Sequence, residues 1–135
     1  VNQRDKELVV AAAKARNLAS LMNRTKWCEL ADVLEPFDED VVPHYIDLVD
    51  PGNSRDFFGW DYARSEISAF ILDCIIHPVR REHLGSLIPD RVHDRTAEVE
   101  HRLRALRLPF SRSGEDFVVH GYVDPSHQPD FVSFE

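Results

Sequence analysis

The sequence predicts an α+β fold: N-terminal helical segments, then a small, mostly antiparallel sheet covered by a helix near residues 94–107. Three observations carry that expectation. Residues 5–21 are rich in alanine and lack glycine and proline, residues 69–77 are apolar on alternating positions of both parities, and residues 94–107 repeat apolar residues at helical steps. At 135 residues the chain fits one domain with its own core, needing neither a disulfide nor a metal to fold.

The first segment, D-K-E-L-V-V-A-A-A-K-A-R-N-L-A-S-L, consists largely of strong helix formers. Leu8, Ala12, Ala15, Ala19 and Met22 recur at helical spacing. Alanine buries little area, so this stretch reads as a loosely docked extension over residues 1–21, ahead of a domain over residues 22–135. A second stripe, Trp27, Leu30, Ala31 and Leu34, follows the potential caps Asn23 and Thr25 and stops at Pro36. The pattern leaves open whether residues 5–35 form one helix or two.

Residues 41–50, V-V-P-H-Y-I-D-L-V-D, also allow two readings. Pro43 can open a short helix, or Val42, His44, Ile46 and Leu48 can alternate along a strand that proline confines to an edge. Asp50-Pro51-Gly52-Asn53 is a turn in either case. In A-F-I-L-D-C-I-I-H, alternation places Phe70, Leu72, Cys74 and Ile76 on one face and Ile71, Asp73 and Ile75 on the other. Apolar residues on both faces indicate a central strand, in which Asp73 requires a polar partner or an opening to water.

In residues 94–107, Val99, Leu103 and Leu106 line one face. Asp94, Glu98 and Glu100 come early and Arg102, Arg104 and Arg107 late, the order that the helix dipole favours. The stretch F-S-R-S-G-E-D-F-V-V-H-G-Y-V then reads as a turn at Ser113-Gly114 followed by a strand over residues 117–123.

Charge is unevenly placed. The net −8 divides into +4 over residues 1–28, −10 over 29–73 and −2 over 74–135. An acidic middle third disfavours nucleic acid and anionic membranes, which are bound through clustered Lys and Arg, and favours a basic protein partner. No apolar run approaches the ~20 residues of a membrane helix. No apolar block with a cleavage-type motif opens the sequence. Cys28 and Cys74 lie on core-like segments and read as buried free thiols of a cytoplasmic protein, with one disulfide as the alternative.

Signals for chemistry are sparse. The chain has no P-loop, no GxGxxG, no GxSxG and no standard zinc spacing, so no enzymatic activity and no cofactor are expected. The alternative is a small metal-dependent hydrolase built on Asp94, Glu98 and His101, which share a helical face at i, i+4 and i+7. The stretch N-S-R-D-F-F-G-W-D-Y concentrates aromatics among aspartates, the composition of interface hot spots, although its rings can instead fold back over the core. The expected partner-binding set is therefore Glu35, Asp38, Glu39, Asp40, Asp47, Asp50, Asp56, Phe57, Phe58, Trp60 and Asp61.

Four stretches carry a resemblance: M-N-R-T-K-W-C-E-L, S-A-F-I-L-D-C-I-I-H-P, D-R-T-A-E-V-E-H-R-L-R-A-L-R-L-P-F and F-V-V-H-G-Y. Together they resemble a family of small bacterial proteins that begin M-N-x-T-K-W-x-x-L. Where that family often has Glu-Trp in a strand of the type I-E-W-I-x-I, this chain has Leu72-Asp73-Cys74. The resemblance implies a domain opening at Met22 and no settled enzymatic activity. Size and α+β pattern are similar to immunity proteins of bacterial polymorphic toxin systems. That similarity implies a protein that binds and neutralises a cognate toxin, or a regulatory interaction module without one.

Overall fold

The computed structural model describes residues 3–52, 54–55 and 59–132. The N-terminal region contains two helices rather than one, α1 (Gln3–Ala15) and α2 (Arg24–Leu34), separated by the two-residue strand β1 (Ala19–Ser20). Asn17 ends the first helix by adopting a left-handed φ of 54°, and Leu18 N–H donates to Ala13 O at 2.8 Å. Asparagine tolerates that conformation better than most residues. Asn23 starts the second helix, its side chain accepting from Lys26 N–H at 2.9 Å. α1 buries no residue, as an alanine stripe predicts, and Arg16 Nη1 donates across to Leu48 O at 3.1 Å.

Residues 41–50 resolve as a strand, β2 (Val42–Asp47). It is second in an antiparallel sheet ordered β3-β2-β4-β8-β7, with β3 at Ser54–Arg55, β4 at Ile71–His77, β7 at Phe110–Ser113 and β8 at Asp116–His120. Pro43 fits there because β3 pairs only with Tyr45 and Ile46, so one side of the strand is unpaired at the proline. β4 is the middle strand, as its two apolar faces indicate.

The register builds the core in rows. Tyr45 faces Cys74, Cys74 faces Val119 and Val119 faces Phe110, a continuous row across four strands. All four are buried beneath Trp27, Leu30, Ala31 and Leu34 of α2 and Val99 and Leu103 of α4 (Thr96–Ala105). The larger apolar side chains among them, such as Leu30, Leu34, Leu103 and Phe110, each contribute about 1.5–3 kcal/mol when withdrawn from water. Phe110 and Phe117 add an edge-to-face contact at 5.9 Å between ring centroids.

Simple alternation fails at one place on β4. Ile46 faces Asp73 but the next residue, Asp47, faces Ile71, so Leu72 is the extra residue of a bulge. Beyond it Ile71 swings to the core side with Cys74 and Ile76, not to the side of Asp73 and Ile75 that the two-residue period assigned. Both cysteines are free; Cys28 is half-buried, while Cys74 is fully buried and its thiol pKa is pushed upward by burial.

The expected strand over residues 117–123 is also interrupted. β8 stops at His120, and β9 (Tyr122–Val123) leaves the main sheet to pair with β1. Gly121 makes the crossing. A Cβ there would lie 2.2 Å from Ile71 O and 3.1 Å from Trp27 Cζ2, so only glycine fits between the bulge and the tryptophan. A second two-stranded sheet, β5 (Val79–Glu82) with β6 (Arg91–Asp94), follows β4 as an arm. Its strands, V-R-R-E and R-V-H-D, lack the apolar alternation that announces a strand. Among the described residues no helix is long and apolar enough to cross a membrane.

The Gly121 contact yields a direct expectation. Gly121→Ala forces backbone atoms of β4 and the Trp27 ring apart and lowers unfolding stability by at least ~2 kcal/mol in urea denaturation. An ordinary glycine in a flexible turn would show little change.

Candidate functional site

The acidic residues between α2 and β4 separate into exposed and structural members. α3 (Asp61–Arg64) places Arg64 against the end of α2. Its guanidinium donates to Glu35 through Nη1 and to Asp32 through Nη2 at 2.9 Å and Nε at 3.1 Å, with Asp61 at 3.6 Å. The hydrogen bond that Arg64 donates to Glu35, opposed by burial and aided by the one to Asp32, holds the Arg64 pKa above its ordinary value. Arg64 therefore gathers three carboxylates on one side of the molecule and neutralises only part of their charge.

Glu35, Asp38 and Asp61 surround a depression of about 270 Å³ whose floor includes Val41, Pro43 and Trp60. Asp38 and Glu39 are exposed, and the Asp61 side chain is 89% exposed. Trp60 is not a presented hot spot: at 3% exposure it belongs to the core, beside Tyr45, whose hydroxyl donates to Gly59 O at 2.7 Å. Asp50 is exposed and borders a separate depression of about 330 Å³ with Asp5, Ile67 and Phe70. Asp56, Phe57 and Phe58 lie outside the described residues.

Two expected partner-binding residues are committed inside the fold. Asp47 is buried, and its Oδ1 accepts from Val49 N–H at 2.7 Å and Asp50 N–H at 3.1 Å, closing the turn after β2. Asp40, with a side chain only 10% exposed, receives Arg80 Nε on Oδ1 and Arg95 Nε on Oδ2, each at 3.1 Å. His93 stands 3.9 Å from the same carboxylate and bonds Glu82 at 3.0 Å through its other nitrogen. Arg95 also lies over the Phe37 ring, 5.6 Å from its centroid. Asp40 thus ties the arm and the entry of α4 to the end of the α2 segment. A short apolar-to-charged pattern in sequence cannot distinguish such a carboxylate from its exposed neighbours Asp38 and Glu39.

Asp73 finds the partner that its position in a central strand requires. His120 Nδ1 lies 3.0 Å from Asp73 Oδ1, and His120 Nε2 lies 2.8 Å from Ser111 Oγ. With the proton on Nδ1, the imidazole donates to Asp73 and accepts from the serine hydroxyl. The order Ser-His-Asp matches a nucleophile relay, but the exposure is reversed. Ser111 is 8% exposed beneath a strand bridge to Phe131, while Asp73 is the most open of the three. A nucleophile needs the opposite gradient and a set of oxyanion donors beside Oγ. The chain of hydrogen bonds instead joins β7, β8 and β4 on the sheet face away from the helices. Sequence carried half of this signal, an aspartate in an apolar strand; the hairpin register that brings Ser111 and His120 together is a three-dimensional fact.

The metal-site alternative is not assembled. Asp94 Oδ1 accepts from Thr96 N–H at 2.9 Å and from the Thr96 hydroxyl at the start of α4, Glu98 bonds Arg95 at 3.3 Å, and His101 is exposed. No group of three or more His, Cys, Asp and Glu side chains suited to a metal occurs among the described residues.

Compared with known families, residues 9–126 match the model of a family of unknown function, DUF6678. The chain belongs to DUF6678. No curated protein and no solved structure matches it. The DUF6678 match begins inside α1, runs through the whole five-stranded sheet and α4, and ends after β9. Both polar networks of this DUF6678 chain, at Asp40 and at His120, therefore lie within the family region.

Each network generates an expectation. Burial works to raise the Asp40 pKa, but hydrogen bonds from Arg95 and Arg80, with the charge of His93, outweigh it and hold the carboxyl below its ordinary 3.8. A depressed carboxylate pKa stabilises the fold above the unfolded value, and that contribution disappears as pH falls through the folded value. Asp40→Asn should therefore lower Tm near ~pH 7, and thermal scans should show the gap to wild type closing at acid pH. At the second network, His120→Ala should cost about 1–3 kcal/mol in urea unfolding by orphaning Asp73 and Ser111. A serine-directed fluorophosphonate should leave native Ser111 unlabelled.

Proposed function

We propose that this protein is a non-enzymatic binding protein that docks a basic surface of a protein partner onto the acidic face formed by α2, the turn after it and α3. The specific form we favour is an immunity protein that neutralises a cognate bacterial toxin by covering it. The observation that carries the reading is the convergence of Glu35, Asp38 and Asp61 around one depression, with Asp32 and Glu39 nearby and Arg64 in their midst. Such an excess of exposed carboxylate accelerates encounter with a basic partner and penalises acidic competitors. The resemblance described above contributes the toxin. Partner-binding in this reading rests on Asp38, Glu39 and Asp61, with Glu35 held in place by Arg64; Asp40 and Asp47 serve the fold instead.

The experiment follows from that division. The chain is co-expressed with each candidate toxin domain found by inspecting neighbouring genes, and any complex formed is titrated calorimetrically at low and high salt. The combined variant Asp38→Asn, Glu39→Gln, Asp61→Asn should bind at least ~10-fold more weakly while unfolding like wild type. Affinity of the wild type should drop as ionic strength rises. Full protection of cells by the triple variant would remove the acidic face from the account.

A further inference from the structure

A groove of about 340 Å³ lies where the start of α2, the chain leaving α4, β9 and residues 124–132 meet. Leu21, Pro109, Val123, Phe131 and Val132 give it apolar walls, and Lys26, Arg107 and Gln128 are its polar members. Backbone hydrogen bonds set those walls. Leu21 N–H donates to Gly121 O at 2.9 Å, Val132 N–H donates to Phe110 O at 2.8 Å, and Phe131 bridges to Ser111. Arg107 adopts a left-handed φ of 54° just after α4, and Leu108 N–H donates back to Leu103 O at 3.2 Å. The arginine is thereby fixed at the end of the helix, beside the groove.

Charge selects the occupant. The chain carries −8, yet both charged residues on this groove are cations and no carboxylate lines it. Asp124, next to Val123, turns its carboxylate to Ser126, accepting from the N–H at 2.9 Å and from the hydroxyl at 2.7 Å. Lys26 stands in the first turn of α2, which holds no acidic residue. The helix dipole opposes a cation at that position, and among the described residues Lys26 has no ion pair to offset it. Arg24, in the same turn, donates instead to Arg64 O at 3.4 Å. An apolar trough with a cationic end is complementary to a molecule that has a hydrocarbon body and one anionic head. It repels the basic partner that the acidic face attracts.

We infer that this groove binds a small amphipathic carboxylate, its hydrocarbon body against Leu21, Val123, Phe131 and Val132 and its head at Lys26 and Arg107. The volume matches one ligand of modest size, since small-molecule sites begin at about 300 Å³. Hydrocarbon withdrawn from water supplies the affinity, and the two cations decide the sign of the head. The site is separate from the acidic face and goes beyond the binding reading given above.

The test is a methyl NMR titration of the full chain with sodium octanoate, following Leu21, Val123 and Val132. These three signals should shift together and saturate with a Kd of ~0.1–1 mM. Octylamine, with the same body and the opposite charge, should move them with an affinity at least ~10-fold weaker. Acetate, which keeps the head and lacks the body, should leave them in place. The variant Lys26→Gln, Arg107→Gln should keep the wild-type circular dichroism, bind octanoate at least ~10-fold more weakly and no longer distinguish it from octylamine. The Asp38→Asn, Asp61→Asn variant should bind octanoate as wild type does, so the two readings fail separately. Three results would each overturn the inference: no shift of these methyls up to ~10 mM octanoate, equal affinity for octylamine in the wild type, or octanoate binding unchanged in the Lys26, Arg107 variant.

Discussion

The structure depends on the two unlike faces of β4. One face sends Cys74 and Ile76 under the α2 and α4 helices, while the other sends Asp73, Ile75 and His77 to a surface the helices do not reach. A central strand with apolar residues at both parities ordinarily lies between two covering layers. Here one layer is helical and the other side is secured by hydrogen bonds, Asp73 to His120 to Ser111 and His77 to Asp116 at 3.0 Å. The bulge at Leu72 then rotates Ile71 into the core and leaves Leu72 O free to receive Gly121 N–H at 2.8 Å. Core packing, the polar face and the strand crossing to β1 all descend from this one segment.

Much of that was legible in the residues. Helical periodicity identified α2 and α4 because Trp27, Leu30, Leu34, Val99 and Leu103 are large enough to write the 3.6-residue period plainly. Apolar residues at both parities identified β4 as central. The bulge was not legible, since an extra residue changes side-chain direction without changing composition. Neither was the arm, whose strands are held by pairing with each other and by ion pairs at the root rather than by an apolar stripe. The candidate site was half readable for a similar reason. Acidic abundance in residues 35–61 was evident, but Asp38, Asp40 and Asp61 differ only in what their carboxylates meet after folding.

Two kinds of surface result. The acidic face combines exposed carboxylates with shallow relief, which in the proposed role would attract a basic protein at long range. The arm carries no net charge and exposes a small apolar tip. Arg80 and Arg95 connect them through Asp40, so the arm projects from beside the acidic stretch and not from a remote corner of the molecule.

The position of Asp40 also bears on how freely such a protein can change. Of the run Asp38-Glu39-Asp40, the first two residues touch water and the third holds the frame. The side chains of Asp38, Glu39 and Asp61 are exposed, so the energetic effects of altering them should sum with those of changes at distant core positions instead of compounding them. In the binding role proposed above, a surface of this kind could be rewritten, residue by residue, while the scaffold stays within its narrow margin of stability.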